Sequence, residues 1–277
     1  MKTALVASLV ILATSVLAMP APVADPSSDV PPEFYFTRLI YSGGRGGFRG
    51  GRPSPKLGEE RTCASLERGE GGGGGGGSWA TDYPASDCKF MWGVERLTSV
   101  HVYDKTPHSV SIMDPDLFKY PYVYVVEPGH LELSDEEAKR LREYMIRGGF
   151  VHFDDFWGLR ERSNLEYQLA HIFPDREIRQ LDMKQEIFHT FFDVDRVMQI
   201  PNVRNGCNGG PTWERSDDIE PRIYGVTDDN GRLMSIITYN SDLGDAWEWM
   251  DNPCYPEMFS SQAYRMGINF IIYSMSH

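Results

Sequence analysis

Hydrophobic positions along the chain follow two alternating rhythms. Runs rich in Val, Ile, Phe and Tyr occur at "EFYFTRLIY", "HSVSIM", "YPYVYVVEP" and "GGFVHFDDFW", and each reads as a strand. Between them, apolar residues fall three and four apart. "PASDCKFMWGVERLT" puts Phe90, Met91, Val94 and Leu97 on one helical face, with Pro84 near the helix start. "LSDEEAKRLREYMIRGG" carries the fullest helix signature. Ser134 and Glu137 form a capping box, Ala138, Leu141 and Met145 make the buried stripe, and Gly148–Gly149 close the end. Further on, "SNLEYQLAHIF" reads as a helix and "PRIYGVTDDNGRLMSIITYN" as two strands joined at a DDNG turn. "SSQAYRMGINFIIYSMSH" reads as a closing helix.

The strand–helix–strand succession from Tyr122 to Asp154 predicts a right-handed parallel unit. The fold class expected is therefore α/β, an open, mostly parallel sheet flanked by helices. Ligands in such sheets sit beyond the carboxyl ends of the strands. "DDFWG", residues 154–158, occupies one such end.

The first residues set the expected compartment. Lys2 precedes an apolar run over 4–18, and Val16 and Ala18 supply the small residues of a signal-peptidase site. The run is shorter than the roughly 20 residues a spanning helix needs. The reading is a signal peptide at 1–18, a flexible segment at 19–32 and one α/β domain at 33–277. The mature chain is expected to be exported, periplasmic or secreted, with no transmembrane span. Residues 42–52 ("SGGRGGFRGGR") and seven consecutive glycines at 71–77 offer almost nothing apolar against the entropy of ordering, so 42–78 reads as a flexible insertion. The polyglycine lacks the Lys-Ser/Thr of a phosphate loop. The formal net charge of −13 comes from residues 79–277, where acids outnumber Lys and Arg by 14, and this argues against nucleic acid as a partner.

Four cysteines, Cys63, Cys88, Cys207 and Cys254, suit an oxidising compartment, and no CxxC pair marks a zinc or redox site. Three pairings are open. Cys207 and Cys254 both lie in Gly/Pro/Asn-rich loops, which favours a disulfide between them; free buried thiols are the alternative.

Several segments together resemble a known family. "FTRLIY", "WATDYPASDCKFMWGVERLT", "LFKYPYVYVVEPGHLELSDEEAKRLREYMIRGGFVHFDDFWG", "GRLMSIITYNSDLGDAWEW" and "AYRMGINFIIYSMSH" are similar to the bacterial domain of unknown function 4159. The resemblance covers 33–41 and 79–277, and implies a flavodoxin-like fold of the class I glutamine-amidotransferase type. It implies no activity. Amidotransferases use a cysteine on a tight turn after a sheet strand. Here no cysteine lies near Asp154 and no GxSxG elbow occurs, so the acyl-enzyme route lacks its nucleophile.

The candidate residues are therefore polar and acidic. Asp154 and Asp155 would alternate in a continuous strand; if the backbone turns, both reach a cleft, with Trp157 as a stacking surface. Otherwise they cap a helix and bind loop amides while Trp157 joins the core. "NSDLGDAWEWMDNP" supplies Asn240, Asp242, Asp245 and Glu248 as the opposite wall of that cleft. Its oxygens suit calcium in type, but the spacing is not that of an EF-hand, and Asp242 also suits the cap of a helix entered at Leu243, so no metal is assigned. His130, in "EPGH", stands at another carboxyl edge and joins the ligand-binding set, whereas His152 reads as a packed core residue. No histidine pair has zinc-ligand spacing. No cofactor and no catalytic residue is assigned. The function expected is a non-catalytic binding or assembly module of the cell envelope, its partner an envelope protein or small polar ligand. The alternative is a hydrolase of an envelope or carbohydrate substrate, with Asp154 or Asp155 as general base.

Overall fold

Uninterrupted β-branched and aromatic runs give the extended elements. In chain order these are β1 (Thr37–Ile40), β2 (His108–Ser111), β3 (Tyr122–Val126), β4 (Phe150–Asp154), β5 (Arg179–Gln180), β6 (Arg222–Thr227) and β7 (Leu233–Tyr239). They belong to a computed structural model that describes residues 33–43, 63, 77–103 and 106–277. The expected signal peptide, the segment 19–32 and most of the glycine-rich stretch 42–78 lie outside the described residues.

The strands form one sheet in the order β2-β1-β3-β4-β7-β6-β5. The first five of that order are parallel, the doubly wound succession 2-1-3-4-5 of flavodoxin-like sheets with β7 in fifth place. β6 and β5 extend it antiparallel beyond β7. β3, β4 and β7 are buried along their whole length, because helices cover both faces of a parallel sheet. Alternation divides their side chains. Tyr122, Tyr124 and Phe150 join one core with Phe90 and Phe270, while Val123, Val125, Val151 and Phe153 join the other with Leu141 and Leu165.

The helices are α1 (Ala85–Leu97), α2 (Asp135–Ile146), α3 (Gly158–Ile172), α4 (Val203–Asn208), α5 (Leu243–Glu248) and α6 (Glu257–Ser276). The capping box of α2 is present: Glu137 N–H donates to Ser134 Oγ at 3.3 Å, and Ser134 N–H donates to Glu137 Oε2 at 2.9 Å. Such a cap contributes about 1 kcal/mol. α3 starts earlier than the apolar spacing predicts, because Glu161 turns back to accept from Trp157 N–H at 2.7 Å and closes the first turn. α1 and α6 pack closely at Gly93, where a Cβ would stand 2.0 Å from the Tyr264 ring.

Both disulfides join loops or ends to helices. Cys207–Cys254 forms as expected, although Cys207 stands in α4 and not in a loop, and Cys63–Cys88 forms as well. The second bond ties a buried cysteine from within the 42–78 stretch to α1. Among the described residues, no helix is long and apolar enough to cross a membrane.

Candidate functional site

Strand register sets the site. Val126, Asp154 and Thr238 are neighbours across β3, β4 and β7. The residues that follow these strand ends turn sharply. Glu127, Asp155 and Asn240 have φ values of 48°, 59° and 54°, and Asp82 has 60°. These are all the non-glycine residues with positive φ among the described residues, and each stands at or near the carboxyl edge. Asp and Asn tolerate this left-handed conformation best, at a cost on the order of 1 kcal/mol.

The turn at Asp155 separates two adjacent carboxylates. Asp154, still in β4, is fully buried and takes four donors. Tyr124 Oη–H donates at 2.7 Å, Leu243 N–H at 3.0 Å and Gly244 N–H at 3.3 Å, and Thr238 Oγ1–H completes the set. It thereby fastens the first turn of α5 to the sheet. Burial pushes its carboxyl up to about 6, against the pull of these donors. His152, beside it, contacts Tyr122 Oη at 2.8 Å and Thr238 Oγ1 at 3.1 Å. Burial drives His152 down to about 3, so it stays neutral in the core.

Asp155 points the other way. Its Oδ1 accepts from Trp157 Nε1–H at 2.8 Å, and its backbone N–H donates to Ser241 O at 3.2 Å. Its free side faces a polar cleft of about 450 Å³ shared with Trp157, Glu127, His130, Glu161, Glu214 and Arg215. His130 Nε2 lies 3.6 Å from Glu127, and Arg215 lies 3.6 Å from Glu161. Burial, then the nearby charges of Glu127, Glu214 and Asp82, holds Asp155 well above the usual carboxylate range. A narrower apolar slot of about 240 Å³, bordered by Phe156, Leu165, Leu169 and Tyr239, lies elsewhere between α3 and the sheet.

Behind the cleft lies a second group of acids. Asp242 caps α5, accepting from Asp245 N–H at 2.7 Å, as the sequence allows. Asp245 accepts from Val203 N–H at 2.6 Å, and Glu248 follows at the end of the same helix. One oxygen each from Asp82, Asp155 and Asp242 lie within 4.8 Å of one another, and the same holds for Asp82, Asp245 and Glu248. At such a spacing two carboxylates repel by about 3 kcal/mol in a medium of effective dielectric constant near 20. Burial, followed by the charge of Asp245, raises Glu248 to about 7. Asp82 and Asp242 are likewise driven well up, burial first and neighbouring acids second.

Asp82 is placed by Arg38, which sequence patterning alone presented as one residue of a strand. The buried guanidinium pairs with Asp87 at 2.6 Å, donates to Ser86 Oγ at 2.8 Å and Trp79 O at 3.2 Å, and also reaches Thr81 O. These bonds fix the 79–84 segment and the start of α1 over the sheet edge. Asn240 performs a similar task on the other side: it accepts from Gly158 N–H and donates to Asp218 O and Glu220 O, each at 3.0 Å.

The sequence-named residues thus divide. Asp155, Trp157 and His130 line the cleft, and Asp242, Asp245 and Glu248 meet Asp155 through Asp82. Asp154 and Asn240 stand next to them with their polar atoms given to backbone and core groups. Asp82, Glu127, Glu161, Glu214 and Arg215 were not singled out from sequence. Of these, only Glu127 had a signal, its place at the end of β3 in "VVEPGH".

Residues 62–275 match the family model described as Domain of unknown function (DUF4159). The chain belongs to this family. No curated protein matches it. The DUF4159 match includes the cleft, the acid cluster and all four cysteines, and leaves β1 outside. Both disulfides consume those cysteines, so no thiol is free in this family member to act as a nucleophile.

Proposed function

We propose that the chain is a non-catalytic binding module, exported to an oxidising compartment of the cell envelope. Its ligand is a donor-rich polar group bearing an ammonium or guanidinium. The observation that carries this reading is the cleft at the carboxyl edge of β3 and β4, lined by Glu127, Asp155, Glu161 and Glu214 with one arginine and one histidine. An acid-lined concavity beyond the carboxyl ends of parallel strands favours a cationic ligand. Two disulfides fit the compartment. The scaffold is taken to be amidotransferase-like, used without its nucleophile. Hydrolysis with an aspartate as general base is less well served. Asp154 is sealed beneath four donors, and Asp155 keeps its proton to a higher pH than an ordinary carboxyl.

Calorimetric titration of the protein with arginine, spermidine and a neutral polyol tests the proposal. Saturable binding of the cations is expected, weakening with added salt. The double variant Glu127→Gln/Glu214→Gln should reduce it at least tenfold. Binding of the polyol with indifference to both cations would contradict the reading, as would turnover of a glycan substrate by the wild-type protein.

A further inference from the structure

The acids behind the cleft carry an inference of their own, which goes beyond the cleft and does not depend on what fills it. Asp82, Asp242, Asp245 and Glu248 lie outside the cleft lining. Only Asp155 belongs to both.

We propose that these carboxylates form a binding site for a hard divalent cation of the calcium class, with Asp82 as the shared ligand of two groups of three. Clustered acids alone would not justify this. The independent observation is Asp82 Oδ2, which is sealed from solvent and receives no N–H or hydroxyl donor among the described residues; the side chain that reaches Asp82 is the carboxyl of Glu248, another acid of the cluster. A buried anionic oxygen without a partner is costly to maintain and calls for a proton or a cation. That oxygen faces Gly244, where a Cβ would stand 3.0 Å from it. A side chain at 244 would crowd the oxygen, and glycine leaves its surroundings clear.

The protein's own donors leave room for an ion. Trp157 Nε1–H uses Oδ1 of Asp155, Asp245 N–H uses Oδ1 of Asp242, and Val203 N–H uses Oδ2 of Asp245. The second oxygens of Asp155 and Asp242 remain available, whereas Asp245 also meets the side chain of Trp249. Neighbouring cations are already engaged. Arg38 is bound to Asp87, and Lys89 donates to the Glu248 carbonyl at 2.7 Å and to Asp251 at 2.5 Å. The donor set is all oxygen, which selects calcium, magnesium or manganese over softer metals. Three oxygens no more than 4.8 Å apart can surround one ion at calcium–oxygen distances of about 2.3–2.6 Å with slight adjustment. Magnesium demands tighter octahedral geometry and suits the spacing less well.

The test uses the full chain, stripped with a chelator and dialysed, then titrated with calcium chloride and, separately, magnesium chloride. Calcium should bind saturably and raise the melting temperature by about 5 °C at a hundredfold excess over Kd. Asp82→Asn should weaken calcium binding at least tenfold while circular dichroism and both disulfides stay unchanged. Should that variant misfold, Glu248→Gln serves the same purpose. Absence of calcium binding in the wild-type protein would overturn the proposal, as would equal calcium affinity in wild type and both variants. Glu127→Gln/Glu214→Gln should keep its calcium affinity, so a failure of the cleft reading is separable from a failure of this one.

Discussion

Asp154 and Asp82 are two aspartates at one edge of one sheet, and their surroundings are opposite. Asp154 receives four hydrogen bonds, two from side-chain hydroxyls and two from the first amides of α5. Asp82 presents a buried oxygen that receives no N–H or hydroxyl donor among the described residues, and it stands among acids that repel it. The contrast separates two uses of a buried carboxylate. With a full set of donors it is part of the scaffold, and its loss leaves several polar groups stranded. Without donors it is a place where something else belongs. Asp155 stands between the two, holding one donor from Trp157 and facing both cleft and cluster.

The largest effect should come from breaking the satisfied network. Asp154→Ala strands the Tyr124 hydroxyl and two buried amides and leaves the Thr238 hydroxyl only the Phe153 carbonyl, so it should lower unfolding free energy by about 3–5 kcal/mol, read from urea denaturation. A loss under 1 kcal/mol would show that the network is not what joins α5 to the sheet.

An intermediate effect should follow pH. Asp154 and Glu248 have folded-state values raised to about 6 and about 7 by burial. Between about pH 4 and these values the folded protein holds protons that the unfolded chain releases, so their contribution is full below about pH 4 and is lost as pH rises. In chelator, thermal melting should therefore give a lower midpoint at pH 8 than at pH 5. A higher midpoint at pH 8 would mean the acids are not held protonated.

The smallest change in stability is expected at the boundary residue. Asp155→Asn keeps the acceptor for Trp157 and tolerates a φ of 59°, and it removes an ionisable group from a crowded site. Unfolding free energy should shift by no more than about 0.5 kcal/mol, while binding to the cleft falls at least tenfold. Destabilisation comparable to Asp154→Ala would place Asp155 in the scaffold as well.

Much of the scaffold was legible because local patterns agree with the fold. Tyr122–Val126 is a continuous apolar run because both faces are covered, and Ser134 with Glu137 marks the start of α2 without ambiguity. The excursion after α3 was not legible: β5 is a two-residue edge strand and α4 has six residues, too short for periodicity to register. In the site, Asp242, Asp245 and Glu248 announce themselves by helical spacing. Asp82 does not, because the Arg38–Asp87 pair brings its loop over the edge through contacts distant in sequence. Nor could sequence tell Asp154 from Asp155. The distinction depends on one backbone angle at Asp155, and two adjacent aspartates carry no mark of which will turn.

The central claim is that a carboxylate with donors holds the fold and one without them awaits a ligand. Melting temperatures of wild type, Asp154→Ala and Asp82→Asn, each in chelator and then in excess calcium, test it most directly. The account predicts that in chelator Asp82→Asn melts at or above the wild-type temperature, since a repelled charge is gone, while Asp154→Ala melts many degrees lower. Calcium should then raise the wild type and leave Asp82→Asn where it was. If Asp82→Asn instead falls in chelator as far as Asp154→Ala, and calcium moves neither wild type nor variant, Asp82 is a scaffold residue and the account is wrong.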